Sequence, residues 1–168
     1  REGAKVAVIE LNPETGATTA KLVNDQGGEA LFLQTDITNE EQVKKAVAAT
    51  VAKFGKIDLL FNCAGGSTLD DGLVTEGDLL TVWNKSMTLN LLGTMMCCRH
   101  VIPEIIKAGG GTVVNMSSGA ALRGGSPLQV YTASKGGIVS LTRSLAGAYV
   151  KNNIRVNTIC AGRIATER

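Results

Sequence analysis

Short apolar segments rich in valine, isoleucine and leucine alternate along the chain with longer segments in which apolar residues recur every three or four positions. The short runs are typical of buried strands, and the longer spacing is typical of helices with one buried face. This pattern predicts five strands, at residues 5–10, 29–35, 57–62, 112–116 and 153–159. Strands that alternate with helices predict an α/β fold, a Rossmann-like doubly wound parallel sheet with helices on both faces.

Helix boundaries are also marked in the sequence. Asn12 and Pro13 have the residue types of an N-cap and a first helical position. Thr38 and Glu41 form a capping-box pattern at the start of the next helix. One long helix is predicted at about 76–107. With 168 residues and no internal repeat or linker, the chain is predicted to be a single domain.

Polar residues and glycines follow almost every predicted strand. The carboxyl ends of parallel strands meet at one edge of such a sheet, where these folds bind ligands. The residues at these positions are Glu10, Asp36, Asn62 to Gly65, Ser117 to Gly119, and Ala161 with Gly162. We therefore expect the binding site at this edge.

Composition narrows the classes of partner. The 17 basic and 15 acidic residues nearly balance and form no basic stripe, which argues against nucleic acid as a partner. No apolar run is as long as a membrane span, so no membrane partner is predicted.

The four cysteines form no CxxC pair, and buried free thiols are predicted, which fits a reducing, cytoplasmic location. His100 is the only histidine and has no second candidate ligand near it. No metal site is therefore predicted.

Candidate catalytic chemistry begins with Tyr131 and Lys135, which are four positions apart and share a face if the segment is helical. A free phenol has a pKa of about 10, so it is a poor base at neutral pH. An ammonium at about 4 Å, with an effective dielectric of about 20, favours the phenolate by roughly 4 kcal/mol. A phenol in that environment can exchange a proton with an alcohol or a carbonyl oxygen.

Glu10 ends the first strand, where nucleotide-binding sheets place the acid that bonds the ribose hydroxyls. Its carboxylate would repel a 2′-phosphate, and neither Leu11 nor Asn12 adds a positive charge. These features favour NAD over NADP. The alternative is a solvated acid at a strand end.

Two further segments could contact the cofactor. Asp36 and Ile37 could hold the adenine, or Asp36 could be a turn residue before a capped helix. Asn62 to Gly65 contains small residues that let the backbone pass close to a flat ring or a ribose. It could equally be a tight turn between a strand and a helix.

Several short motifs occur in order, and together they resemble the short-chain dehydrogenase/reductases of the short, single-domain branch. The motifs are Asn62-x-Ala64-Gly65, Asn90, Asn115-Met-Ser-Ser118, Tyr131-x-x-x-Lys135, and Asn157 with Gly162. The resemblance implies an oxidoreductase that transfers a hydride between NAD(H) and a secondary alcohol or ketone. It also implies a homo-oligomer, either a tetramer or a dimer.

The resemblance implies roles for four catalytic residues. Ser118 would orient and polarise the substrate oxygen, and Tyr131 would be the acid/base. Lys135 would favour the phenolate and bind the nicotinamide ribose beside Tyr131. Asn90 would hold a water that links Lys135 to solvent.

Three further residues receive roles from the resemblance. Ser117 would be structural. Ile164 and Thr166 would contact the nicotinamide carboxamide.

The chain also departs from the family pattern. Ala161-Gly162 replaces the usual Pro-Gly, and the family's first strand with its glycine-rich turn is not found. In the strand order 3-2-1-4-5-6, that strand lies in the middle of the sheet. We therefore expect a fragment that lacks segments at both ends, with an interrupted sheet and weak dinucleotide binding of its own.

Other functions remain open at this point. A sugar-nucleotide epimerase or dehydratase has the same Tyr/Lys pair, and a dinucleotide-sensing protein could keep the fold without the chemistry. A serine hydrolase based on Ser118 is not favoured, because no G-x-S-x-G motif surrounds it.

Overall fold

The strands form two parallel sheets in the computed structural model, which describes residues 3–162 and 164. The strands are β1 (Lys5–Glu10), β2 (Glu29–Gln34), β3 (Leu59–Asn62), β4 (Gly111–Ser118) and β5 (Ile154–Ala161). The α-helices are α1 (Pro13–Asp25), α2 (Glu40–Phe54), α3 (Leu79–Met87), α4 (Gly93–Lys107) and α5 (Gln129–Tyr149). A π-helical turn, Thr88–Leu92, joins α3 to α4. The predicted α/β architecture is confirmed.

The order of the strands shows the predicted interruption. β1 pairs with β2 from Lys5↔Glu29 to Glu10↔Gln34, and β4 lies between β3 and β5 in the second sheet. Within the described residues, no hydrogen-bonded ladder joins β1 to β3. All pairings are parallel, so the carboxyl ends of the strands in each sheet lie at one edge.

Helices cover both faces of the two-stranded sheet because successive side chains of a strand point to opposite faces. Phe32 of β2 packs so closely against Gly16 of α1 that no Cβ would fit there. Ile9 of β1 packs instead against a buried cluster that includes Val43 of α2. The two helices therefore lie on opposite sides of this sheet.

A shared apolar cluster connects the two sheets. Buried Ile37, Val43 and Cys97 form its centre, and Ile9 of β1 and Leu60 of β3 pack against it. A second cluster lies under α4 and α5, and it consists of Cys98, Val101, Ile102, Ile105, Val113, Ile154 and Val156. Each buried aliphatic side chain contributes about 1.5–3 kcal/mol. Packing through α2 and α4 thus holds the sheets together.

The start of α2 differs from the predicted capping box. The N-cap is Asn39, whose Oδ1 accepts the N–H of Gln42 at 3.1 Å. The Thr38 hydroxyl donates to Asp36 Oδ1 at 2.7 Å instead, because Asp36 forms the preceding turn. The prediction for α1 is confirmed, with Asn12 as the N-cap and Pro13 as the first residue.

Several other predicted boundaries shifted by two or three residues, and two of these shifts bear on the site. The long helix begins at Leu79 rather than near residue 76, since Asp78 caps it by accepting the N–H of Thr81. β4 continues to Ser118 because the ladder with β5 extends to Ser118↔Ala161. Both serines therefore lie in the strand rather than in the loop that follows it.

All four cysteines are free, and Cys97 and Cys98 are buried. Burial raises the pKa of Cys97 to about 11 and that of Cys98 to about 12. None of the helices in the described part of the chain has the length and apolarity needed to cross a membrane.

Candidate active site

The tyrosine and the lysine lie on the same face of α5, one turn apart. Lys135 Nζ is 5.8 Å from the centroid of the Tyr131 ring and donates to the Met116 carbonyl of β4 at 2.9 Å. The lysine is only 5% exposed. Its burial lowers the pKa of the Lys135 ammonium, and the neighbouring Cys63 acts in the opposite direction. The amine is thus held beside the phenol ring by a bond to the sheet.

The end of β4 supplies two serines with different surroundings. The buried Ser117 hydroxyl donates to the Lys135 carbonyl at 2.8 Å and so ties the strand to α5. Ser118 is half-buried, and its Oγ accepts the N–H of Ala120 at 3.2 Å. Neighbouring strand residues point to opposite faces, which is consistent with the hydrogen bond to α5 being made by Ser117.

Asn90 lies in the π-helical turn and is fully buried. Its Oδ1 accepts the N–H of Gly66 at 2.9 Å, and its Nδ2 donates to the Gly66 carbonyl at 3.0 Å. A second bond runs from Nδ2 to the Ser86 carbonyl, also at 3.0 Å. These bonds fix the loop after β3 against the helix.

Glycine is required at position 65 by this arrangement. An ideal Cβ there would lie 2.6 Å from Asn90 Oδ1 and 3.4 Å from Lys135 Nζ, and the backbone φ is +143°. Both features disfavour any side chain. Gly65, Asn90 and Lys135 therefore meet within a few ångströms.

The amide of Asn62 points into the protein. Its Nδ2 donates to Asn115 Oδ1 at 2.8 Å and to Cys98 Sγ at 3.4 Å, and Asn115 Nδ2 donates to Thr142 Oγ1 at 2.9 Å. This buried chain of hydrogen bonds joins β3, β4 and α5. In the same segment, Ala64 is exposed beside Gly65, whereas the Asn62 side chain is engaged inside the protein.

At the other sheet, Glu10 is half-buried and its Oε1 accepts the N–H of Asn12 at 2.9 Å. Residues 10–14 line an open depression of about 440 Å³. Asp36 Oδ1 accepts both the N–H and the hydroxyl of Thr38, at 2.8 and 2.7 Å. This geometry is that of a turn residue before a capped helix, the second of the two interpretations given for Asp36. Ile37 is buried in the cluster that joins the sheets.

The two residues expected at the nicotinamide carboxamide lie at the end of the described chain. Ile164 is 70% exposed. Thr166 lies outside the described residues. In residues 3–162 and 164, no three His, Cys, Asp or Glu side chains come together as metal ligands would.

Comparison with known proteins identifies the family. A sequence model described as short chain dehydrogenase matches residues 1–168. The chain belongs to this family. The resemblance read from the motifs is therefore confirmed.

A similar short-chain dehydrogenase is the protein named "Probable galactose dehydrogenase GalD" from Rhizobium meliloti (strain 1021). It is 38% identical over 169 residues, which cover 100% of this chain and 65% of the relative. Two solved structures are also similar. NAD+-bound xylitol dehydrogenase has a TM-score of 0.91 and 30% identity, over 98% of this chain and 60% of its own. ElxO with NADP bound has a TM-score of 0.87 and 33% identity, and the match covers 96% of this chain and 64% of ElxO. This chain spans less than two thirds of each.

Close to Tyr131 lies one carboxylate that the motifs did not indicate. Asp71 accepts the N–H groups of Val130 and Tyr131 at the start of α5, at 3.2 and 2.7 Å. Sequence spacing gives no signal for it, because the partners are 59 and 60 positions away. Thr142, which bonds Asn115, was missed for the same reason.

The residues present fit a nicotinamide dinucleotide. Glu10 offers a carboxylate beside an open depression, and Gly65 leaves a space next to Lys135 Nζ that a Cβ would fill. The phenol, the buried amine and a half-buried serine hydroxyl provide groups that can hold and exchange a proton.

Proposed function

We propose that the protein is an oxidoreductase that transfers a hydride between NAD(H) and a secondary alcohol or ketone, with Tyr131 as the acid/base. The observation that carries this proposal is the buried Lys135 amine, 5.8 Å from the Tyr131 ring centroid and held by a backbone carbonyl. A dinucleotide-sensing protein would need no such proton-donating pair. The dehydrogenase names of similar proteins also support it over an epimerase.

Each residue has a defined task in this reaction. When bound, the nicotinamide supplies or accepts the hydride. In the direction of alcohol oxidation, the substrate loses a hydride from its carbinol carbon. Tyr131 accepts the proton of the substrate hydroxyl in the same reaction. Lys135 stabilises the phenolate through its positive charge. Ser118 donates a hydrogen bond to the substrate oxygen, an interaction that contributes about 2–4 kcal/mol in comparable sites.

Asn90 and Gly65 act on the same reaction through position. Asn90 fixes the loop after β3, and Gly65 leaves room beside the amine. The water relay expected at Asn90 remains part of the proposal. Ile164 and Thr166 would contact the carboxamide.

The proposed cofactor is NAD rather than NADP. The Glu10 carboxylate would accept bonds from ribose hydroxyls and repel a 2′-phosphate, and Asn12 positions it through a backbone N–H. Similar solved structures hold either cofactor, so the preference depends on Glu10. Asp36, Ile37, Asn62, Ala64 and Gly65 would line the rest of the dinucleotide.

Homo-oligomerisation as a tetramer or dimer and a cytoplasmic location belong to the same proposal. The four free cysteines support a reducing compartment. The oligomeric state is expected from the resemblance to the family.

The substitution Tyr131→Phe in the full-length protein tests the proposal. It removes the exchangeable proton and keeps the ring. We expect kcat for alcohol oxidation to fall by about 10²–10⁴-fold, while NADH binding, measured by fluorescence titration, changes less than about twofold. Near-normal turnover by Tyr131→Phe would remove this residue from the proton-transfer role.

A further inference from the structure

The first turn of α5 has no cap from its own chain neighbours. The residue at the N-cap position is Leu128, whose side chain makes no capping hydrogen bond. The first N–H groups of a helix need acceptors, and a polar N-cap side chain normally provides one. Tyr131 is the third residue of this helix, so its own N–H is among these groups.

Asp71 provides the acceptors from a distant part of the chain. It is 8% exposed, and one carboxylate oxygen accepts the N–H of Val130 at 3.2 Å while the other accepts that of Tyr131 at 2.7 Å. A carboxylate at a helix N-terminus is favoured by the helix dipole, and hydrogen bonds to an ionised acceptor are stronger than neutral ones. The shorter of the two bonds goes to Tyr131 itself.

The residues beside Asp71 strengthen this link. Gln129 donates its N–H to the Gly72 carbonyl at 3.3 Å, and its Oε1 accepts the N–H of Val74 at 2.9 Å. Residues 71–74 and the first turn of α5 are therefore joined by four hydrogen bonds. The same loop is held at its other end by Asn90, through Gly66.

Lys135 is anchored independently of this loop. Its amine donates to the Met116 carbonyl, and its own carbonyl accepts from Ser117. Both anchors are in β4. Loss of the Asp71 carboxylate would therefore release Tyr131 while Lys135 stays in place.

We propose that Asp71 is a positioning residue for Tyr131, acting as a remote N-cap that sets the position of the phenol relative to the Lys135 amine. The proposal rests on the acid/base function of Tyr131 given above. A misplacement of about 1 Å in a catalytic group can cost about 10²-fold in rate. The predicted signature is a loss of kcat without a loss of cofactor binding.

The experiment compares Asp71→Ala, Asp71→Asn and the control Asp70→Asn in the full-length protein. Asp70 is the neighbouring carboxylate, but it is exposed and pairs with Lys85. We expect kcat to fall about 10- to 100-fold in Asp71→Ala, and less in Asp71→Asn, which keeps one carbonyl acceptor. The Kd for NADH should change less than about twofold, and Asp70→Asn should match the wild type.

A second measurement reports the position of the phenol without any turnover. The protein is labelled with fluorotyrosine, and the ¹⁹F resonance of Tyr131 is assigned by its loss in Tyr131→Phe. We expect this resonance to shift or broaden in both Asp71 variants and to stay unchanged in Asp70→Asn. Asp71→Asn is the less disruptive substitution, so the measurement can still be made if Asp71→Ala does not fold.

The outcomes separate the two proposals. An unchanged Tyr131 resonance, or a shifted resonance with wild-type kcat, would overturn the positioning role. A wild-type protein that oxidises no alcohol, with a Tyr131 resonance that still responds to Asp71, would overturn the proposed function and support the positioning of the phenol.

Discussion

The two sheets hold their functional side chains in different ways. At the carboxyl edge of the two-stranded sheet, Glu10 and Asp36 accept hydrogen bonds from residues only two positions away. Around the three-stranded sheet, Ser118 is also bonded locally, but other bonds of the site connect distant segments, such as Asn62 to Asn115 across 53 positions. The Asn90 bond to Gly66 spans 24 positions.

The difference corresponds to the tasks proposed for each sheet. A carboxylate that bonds ribose hydroxyls tolerates small movements, since a hydrogen bond accepts a range of distances and angles. Proton transfer between a phenol and a substrate oxygen requires groups held to within a fraction of an ångström. We therefore expect substitutions in the three-stranded sheet to reduce kcat and stability, and those in the two-stranded sheet to alter cofactor choice.

Among the variants that compare the two sheets, the largest effect is predicted for Gly65→Ala. Its Cβ would clash with Asn90 Oδ1 at 2.6 Å, and the positive φ adds strain of about 1–3 kcal/mol. We expect kcat to fall by about 100-fold or more, because Asn90 and Lys135 must both move. Steady-state kinetics of the full-length protein measures this.

Gly147→Ala is the matched control for that variant. Gly147 lies in α5 with ordinary helical φ, and nothing lies within 4 Å of its added Cβ. Alanine should stabilise the helix there by about 0.5–1 kcal/mol and leave kcat unchanged. Equal kinetics for the two alanine variants would show that the space beside Lys135 is not required.

A smaller effect is predicted for Asn115→Ala. This change removes one hydrogen bond from the buried Asn62 amide, which keeps its bond to Cys98, and one from the Thr142 hydroxyl, which keeps its bond to the Ile138 carbonyl. A buried hydrogen bond contributes about 0.5–1.5 kcal/mol, so we expect the loss of two to lower the free energy of unfolding by about 2 kcal/mol. Urea denaturation followed by circular dichroism measures it.

Asn12→Ala provides the comparison next to the two-stranded sheet, at the start of α1. It removes the local N-cap of α1, where the amide oxygen accepts the N–H groups of Glu14 and Thr15. Loss of a local cap costs about 1 kcal/mol. If Asn12→Ala destabilises the protein as much as Asn115→Ala, the contrast between local and long-range bonding does not hold.

Glu10→Gln is predicted to change the cofactor preference rather than the stability. It removes the charge next to the open depression and keeps the hydrogen-bonding shape. The ratio of kcat/KM for NAD to that for NADP should fall about tenfold, or about 1.4 kcal/mol, with kcat for NAD within about twofold. A ratio that stays constant would argue against ribose recognition by Glu10.

Local rules were sufficient to predict much of the fold. The apolar runs gave all five strands, and Asn12 with Pro13 gave the start of α1. The first boundary of α2 was misplaced because Asp36 and Thr38 form a turn of their own, which left Asn39 as the cap. Competition of this kind between neighbouring polar residues is not visible in residue types alone.

The site could be predicted only where its geometry follows from helical or strand spacing. Tyr131 and Lys135 share a face because they are four residues apart on one helix. Asp71 and Thr142 could not be found, since their contacts depend on how distant segments meet. The inward direction of the Asn62 amide likewise depends on Asn115 of another strand.

The π-helical turn at Thr88–Leu92 has a consequence for the whole helical rod from Leu79 to Lys107. One additional residue in a turn rotates everything after it by about 100° relative to a regular helix. Before the turn, α3 can therefore present an apolar stripe to α5. After the turn, α4 presents a differently oriented stripe to α2 and to the sheet. Shortening this segment by one residue would restore a regular phase and turn one of the two stripes away from its neighbour.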